Sequence, residues 1–313
     1  MKSRTAGAVD KGVWAFVTWL LCLVATPGWA APISGTLGAT GSDTMASLVL
    51  RWGEALSARY PDITVQLQAG GSSIAPAALV AGTTRLAPMS RPMTEDERAR
   101  FEARYGYPPL ELRVARDALV VVVHRHNPLQ ALDLKTLDAI FSTTLACGAD
   151  APIRRWEALE PDWPYGNIAL NGRNLASGTF DLFQKRALCG GEFRVDISEY
   201  PGSSAVISAV GNAPNAMGYS GYHHLTPMVR ALGLIDAEGE AVFPSEATIQ
   251  SGEYPLARNL YLYVNAAPNT PLPPVERAFI ELIFSDQGQQ IVRAAGFVPL
   301  AATQRLSPLS SQN

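Results

Sequence analysis

The chain has 313 residues, 47% of them apolar and 17% charged, with 25 Lys and Arg against 28 Asp and Glu. That length and apolar share supply a full core for one large domain or two smaller lobes. The slightly acidic balance excludes the broad basic surface with which a protein holds nucleic acid.

The first stretch reads as an export signal over residues 1–30. Lys2, Arg4 and Lys11 form a basic start, and Val13 to Thr26 is an apolar run too short for a comfortable membrane span. Gly28 and Ala30 place small residues ahead of an expected cleavage after Ala30. Cys22 follows Leu20-Leu21, which is not the small-residue context of a lipid attachment site. The alternative is an uncleaved N-terminal anchor. Cleavage removes Lys2, Arg4, Lys11 and Asp10, leaving 25 − 3 = 22 basic and 28 − 1 = 27 acidic residues, a net charge of −5. Any anion bound by such a chain is held by local geometry and not by the overall field. The two remaining cysteines, Cys147 and Cys189, form an even pair in an exported chain and are expected to be bridged.

Along the expected mature chain, Ser34 to Gly41 reads as a short strand. Ser42-Asp43-Thr44 then offers a helix cap before Met45, Leu48, Val49, Trp52 and Leu56, the spacing of one apolar helix face. Ile63, Val65 and Leu67 alternate as a strand and lead to Gly70-Gly71-Ser72-Ser73, followed by a helix from about Ile74 to Val80. Arg85 to Ser90 is a strand, and Thr94 caps a charged helix from Glu95 to Arg104. Strand, small-residue turn and helix start thus recur, the arrangement that gathers ligand loops at the carboxyl ends of strands in an open α/β sheet.

Leu119 to Val123 is a continuous apolar strand, Leu134 to Phe141 a helix, and Thr143 to Trp163 a loop that holds Cys147. After a short strand at Ile168 to Leu170 comes Asn171-Gly-Arg-Asn-Leu-Ala-Ser-Gly-Thr-Phe-Asp-Leu-Phe183. Here Ser177 or Thr179 can cap a helix whose first N–H groups lack partners inside it. Gly178 admits close approach to the backbone, and Arg173 brings a planar charged fork. Together they suit a tetrahedral anion such as phosphate. The plain alternative is a capped helix with an exposed arginine nearby. Downstream, Ser203 to Val210, Val275 to Phe284 and Gln287 to Ala295 read as helices, and Met217 to Tyr219 and Leu260 to Val264 as strands. Leu225 to Gly252 is mixed and polar, and Ser307 to Asn313 is a tail.

Four motifs carry a resemblance. Gly41-Ser-Asp-Thr-Met45, Gly70-Gly-Ser-Ser73, Ser90-Arg-Pro-Met93 and Arg173-x-x-x-Ser177-Gly-Thr179 resemble, in order, the ligand loops of periplasmic phosphate-binding proteins of ABC transporters. Leu134 to Ser142 and Asn215 to Gly221 are similar to further segments of that family. The resemblance implies an α/β, two-lobed type II periplasmic-binding fold with two crossovers. They are expected near His124 to Asn127 and Asn259 to Asn265, giving a first lobe of residues 32–123 plus 260–313 and a second of 124–259. It implies a ligand set of Thr44 with the Met45 N–H, Ser72 or Ser73 with Ser73 favoured, Ser90, and Arg173, Ser177, Gly178 and Thr179, with Ser42, Asp43 and Arg91 alongside. It implies a monomer that captures phosphate in the periplasm, hands it to permease subunits, needs no cofactor or metal and does no chemistry.

One departure stands out. Several relatives place a carboxylate where this chain has Arg91, and that carboxylate accepts the proton of hydrogen phosphate and repels sulfate. Asp43 is the candidate substitute acceptor; the plainer reading makes it a helix cap. Other oxyanions (molybdate, sulfate, arsenate) and a sensor role stay open at this point.

Two rival classes are weaker. Gly218-Tyr-Ser-Gly221 is half of a nucleophile elbow, with Tyr222 where the motif needs its pattern to close. His124-x-His126 and His223-His224 could hold a metal, but His124 and His126 fall at an expected crossover.

Overall fold

The computed structural model describes residues 33–305, so the export signal and the expected tail from Ser307 lie outside the described residues. The strands are β1 (Gly35–Thr40), β2 (Ile63–Gln68), β3 (Leu86–Met89), β4 (Leu110–His124), β5 (Ala131–Leu132), β6 (Ala169–Arg173), β7 (Ser198–Tyr200), β8 (Ala216–Gly221), β9 (Val229–Ala231), β10 (Gly233–Ile235), β11 (Ala241–Val242) and β12 (Ala257–Val264). The helices are α1 (Ala46–Arg59), α2 (Ala75–Ala81), α3 (Glu95–Tyr105), α4 (Leu134–Phe141), α5 (Gly178–Ala187), α6 (Ser203–Gly211), α7 (Glu246–Ser251), α8 (Pro274–Phe284) and α9 (Asp286–Ala294).

The large sheet runs β2-β1-β3-β12-β4-β8-β6-β7, with β9 beside the end of β4; β11, β10 and β5 form a small second sheet. Parallel pairing joins β1 to β2 and β3 in one half, and β6 to β7 and β8 in the other. Between them lie β12 and the long β4. From Leu110 to Ala118, β4 pairs antiparallel with β12, and from Leu119 to Val123 it pairs with β8. Two main buried clusters follow this division. One includes Leu37, Trp52, Leu112, Ala115, Leu260 and Phe279; the other includes Ala118 to Val123, Phe141, Phe183, Tyr219 and Ala257. The chain therefore folds as two lobes, each with its own apolar interior.

The buried clusters change over between Ala115 and Ala118 on β4 and between Ala257 and Leu260 on β12. His124 to Asn127, the expected first crossing, lie at the far end of β4 beyond this changeover. The continuous apolar run through Val123 belongs wholly to the second interior, because every residue from Ala118 to Val123 is buried there. Leu110 to Asp117, not expected as strand, extends the same β4 into the first lobe.

Local rules account for most helix starts. Met45, Leu48, Val49, Trp52 and Leu56 are all buried on one face of α1. Thr94 caps α3 in a reciprocal pair with Glu97. The start of α1 departs from expectation: Met45 occupies the cap position with no side-chain bond, so Ser42, Asp43 and Thr44 are free for other partners. Cys147 and Cys189 are bonded, their Cα atoms 5.3 Å apart, tying the loop after α4 to the end of α5.

The bridge spans 42 positions. In the chain-entropy account, Cys147→Ser with Cys189→Ser is expected to lower the unfolding free energy by about 3–4 kcal/mol, read from the urea midpoint of purified protein.

Candidate anion-binding site

Four loops meet where β1, β2, β3 and β6 end. The β1 loop brings Ser42, Thr44 and Met45, all buried. Ser42 N–H donates to the Pro88 carbonyl at 2.8 Å and Gly71 N–H to the Gly41 carbonyl at 2.9 Å, so the first three loops brace one another. Gly71 has φ +114°, and a Cβ there would lie 2.1 Å from the Ala176 carbonyl oxygen of the other lobe. Only glycine permits that approach.

Across the cleft, α5 begins at Gly178, with Ser177 as its cap accepting from the Thr179 N–H. The two lobes touch here through hydroxyls, Thr44 Oγ1 lying 3.2 Å from Thr179 Oγ1. Within the first lobe, Ser72 Oγ lies 3.1 Å from Ser90 Oγ. A Cβ on Gly178 would meet Ser72 Oγ at 2.5 Å and Ser90 Oγ at 2.8 Å, so both hydroxyls sit over the start of α5. The helix start is electropositive and its first N–H groups have no carbonyl partner inside the helix, which suits an anion.

Two buried guanidinium groups flank this cluster. Arg173, 1% exposed, donates from Nη1 to Ser203 Oγ at 2.6 Å, from Nη2 to the Pro201 carbonyl at 2.7 Å and from Nε to the Tyr200 carbonyl at 3.3 Å. Asp43 Oδ2 lies 3.2 Å from its Nη2 and accepts from the Ser203 N–H at the start of α6. Burial pulls the Arg173 guanidinium below its ordinary value, while the Asp43 carboxylate works against that pull. Arg258 on β12 donates to Asp117 Oδ2 and to Thr179 Oγ1.

Known proteins resemble the chain in sequence and in fold. A model described as a PBP superfamily domain matches residues 28–287. The chain is 44% identical over 276 residues to the phosphate-binding protein PstS of Pseudomonas aeruginosa, covering 87% of this chain and 85% of that protein. The chain belongs to the PstS family. It is also 24% identical over 270 residues to PstS of Staphylococcus aureus strain USA300, covering 85% of this chain and 79% of that protein. Among solved structures, a chain from Clostridium perfringens with bound phosphate superposes with a TM-score of 0.72 at 22% identity, covering 85% of this chain and all of that one. An ABC-type phosphate transport receptor from Vibrio cholerae gives 0.65 at 20% identity, covering 84% of this chain and 99% of that one. These last two likenesses concern the fold.

Within this PstS-family chain, the structure sorts the residues expected at the site. Thr44, Ser72, Ser90, Ser177, Gly178 and Thr179 are brought together. Ser73 and Ser72 part ways: Ser72 is buried against Ser90, whereas Ser73 Oγ points to Asp181 and its N–H binds the Ala176 carbonyl. Neighbours in sequence face different partners here, so a side chain favoured on sequence (Ser73) lies off the hydroxyl cluster.

Arg91 is buried, and its guanidinium is fully engaged. Nη1 and Nη2 bind the two Glu97 oxygens at 2.7 and 2.8 Å, Nε binds Asp181 Oδ2 at 2.7 Å, and the remaining N–H groups reach the Pro92 carbonyl and Ser73 Oγ. Burial alone would lower its pKa, but Glu97 and Asp181 together hold it above the ordinary value. Five donors with five acceptors leave no N–H for a ligand. Arg91 instead ties the β3 loop to α5 across the cleft. Asp43 is not a side-chain cap of α1; its carboxylate crosses to Arg173 and α6.

The Tyr200-Pro201-Ser203 anchor of Arg173 and the Arg258–Asp117 pair were missed in sequence. The available signal was Arg258, the single charged residue of Ala257–Val264, a strand otherwise mostly apolar; such a charge is buried when it is paired. Among the described residues no group of three or more His, Cys, Asp and Glu could hold a metal ion. Ser220 is fully buried, unlike the exposed serine of a nucleophile elbow.

Gly178→Ala tests the closeness of the seam. Alanine suits the first turn of α5, so the ligand-free thermal midpoint is expected to stay the same or rise slightly. The added methyl collides with Ser72 and Ser90 of the opposite lobe. Overpacking of about 1–3 kcal/mol in the closed form corresponds to roughly 5–150-fold weaker anion binding by titration calorimetry.

Proposed function

We propose that this protein captures inorganic phosphate between its two lobes and delivers it to the permease of an ABC transporter. The observation that carries the reading is the meeting of Thr44 and Thr179 hydroxyls from opposite lobes, at the start of α5 and between two buried guanidinium groups. A dehydrated dianion needs such a density of donors, each charge-assisted bond contributing roughly 1.5–3 kcal/mol. Several together reach micromolar affinity or tighter, about 8 kcal/mol. The 44% identity to a protein named for phosphate binding supports phosphate over other oxyanions.

In this reading the ligand contacts are Thr44, the Met45 N–H, Ser72, Ser90, Arg173, the Ser177-Gly178 helix start and Thr179, with Ser42 bracing the first loop. The hinge lies at the changeover on β4 and β12. Among the described residues no helix is long and apolar enough to cross a membrane. We place the mature protein in the periplasm after cleavage at Ala30, as a monomer that binds and releases without chemistry.

The test is titration of purified protein with phosphate, sulfate, arsenate and molybdate, followed by thermal shift. Phosphate at a hundredfold excess over its Kd is expected to stabilise by about 2.7 kcal/mol, and sulfate at the same concentration by far less. A larger stabilisation by sulfate or molybdate would replace the phosphate assignment.

Selectivity points to Asp43, a carboxylate at the cleft that accepts from Arg173 and the α6 start. If it takes the proton of hydrogen phosphate, Asp43→Asn loses one charge-assisted bond and the repulsion of sulfate. The ratio of sulfate to phosphate Kd is expected to fall about tenfold or more. An unchanged ratio in competitive titrations would remove Asp43 from this role.

A further inference from the structure

One buried cation at the seam has no part in the ligand set drawn so far. Arg258 stands on β12 directly opposite Asp117 on β4, at the place where the chain passes between lobes. Both residues are buried, at 5% and 1% exposure. Nε and Nη2 of Arg258 donate to the same oxygen, Asp117 Oδ2, at 3.0 and 2.6 Å. Nη1 points the other way, to Thr179 Oγ1 at 3.0 Å, with the Ser90 carbonyl at 3.5 Å. Thr179 Oγ1 in turn meets Thr44 Oγ1 at 3.2 Å. One guanidinium thus touches a hinge strand, a loop of the first lobe and a helix start of the second.

Holding two strands together does not require this pair. A buried ion pair loses hydration on both sides, and apolar residues of similar volume commonly serve as well or better. What an arginine adds is a rigid fork: two N–H directions fixed by one carboxylate while the third nitrogen presents its own protons elsewhere. Here that third nitrogen faces the hydroxyls assembled at the cleft. Its present acceptors are a neutral hydroxyl and a distant carbonyl, both weaker partners than an anionic oxygen. Arg91, by contrast, has spent every N–H on protein acceptors. Arg173 has three of its nitrogens bound to the Tyr200-Pro201-Ser203 segment.

We propose that Arg258 is a second oxyanion-binding guanidinium of this site, carried by the hinge strand and held in place by Asp117. The inference rests on the phosphate reading above and adds a ligand contact to the strand pair about which the lobes move. Nη1 exchanges the Thr179 and Ser90 oxygens for an oxygen of the anion, and binding is thereby coupled to the hinge itself.

Two variants test it by titration calorimetry with phosphate, beside the unaltered protein. Arg258→Lys keeps the charge and the contact to Asp117, but one ammonium cannot span Asp117 and Thr179 together. It is expected to bind phosphate at least tenfold more weakly with its ligand-free thermal midpoint preserved. The double variant Arg258→Met with Asp117→Leu replaces the ion pair by apolar volume. It also takes the carboxylate from buried His223, whose Nδ1 lies 3.6 Å from Asp117 Oδ1, so it is expected to fold with a somewhat lower midpoint and still bind at least tenfold more weakly. Binding within twofold of the unaltered protein in either folded variant overturns the proposal, because the pair would then serve structure alone. If the unaltered protein ignores phosphate but binds sulfate, arsenate or molybdate, the phosphate reading falls and the same two comparisons are made with that anion. An unaltered protein that binds none of the four overturns both.

Discussion

A doubly charged oxyanion leaves water only where fixed donors replace the hydration it gives up. The cleft proposed to hold phosphate meets that requirement with fixed groups. Strand ends deliver helix starts whose first N–H groups lack partners inside the helix, small residues let those starts approach closely, and serine and threonine hydroxyls fill the gaps between them. The hydroxyls lie in pairs, Thr44 with Thr179 and Ser72 with Ser90. Each oxygen of such a pair can turn its proton toward another acceptor without any change in the backbone.

The same geometry would let the lobes separate at small cost. Each lobe closes its own apolar interior, so movement between them exposes little hydrophobic surface. The contacts across the seam are polar: Ser73 N–H to the Ala176 carbonyl, Arg91 to Asp181, Asp43 to Arg173. Water can replace each of them when the cleft opens, so their net worth is modest. In the proposed function the anion, bonded from both sides, supplies the decisive part of the closing free energy.

Much of the fold was legible because it follows local rules. The face of α1 repeats at helical spacing, Thr94 and Glu97 form a reciprocal cap, and α4 begins after Asp133 and ends at Phe141 as its pattern indicates. The first half of β4 was illegible because Leu110 to Asp117 mixes charged and apolar residues without a clean alternation. The second half stood out because both of its faces are buried. At the site, the order of the four loops could be read, but the division of labour inside each loop could not. Arg91 looked like a ligand until Glu97 and Asp181 were seen to occupy its whole fork. Asp43 looked like a cap until its carboxylate was found on Arg173.

By itself, the sequence determined strands β1, β2, β3, β6 and β8, the apolar half of β4 and most of β12, which turns carry glycine and hydroxyls ahead of a helix, and that Arg173 precedes one of them. Those properties depend on residues within a few positions of each other, where spacing dictates geometry. The tertiary structure alone decided that Ser72 and not Ser73 joins the hydroxyl cluster, that Arg91 latches the lobes, and that Arg258 from the end of a distant strand faces Thr179. Each of these depends on which way a side chain points once segments separated by tens of residues are packed together, and no periodicity within a segment encodes that direction.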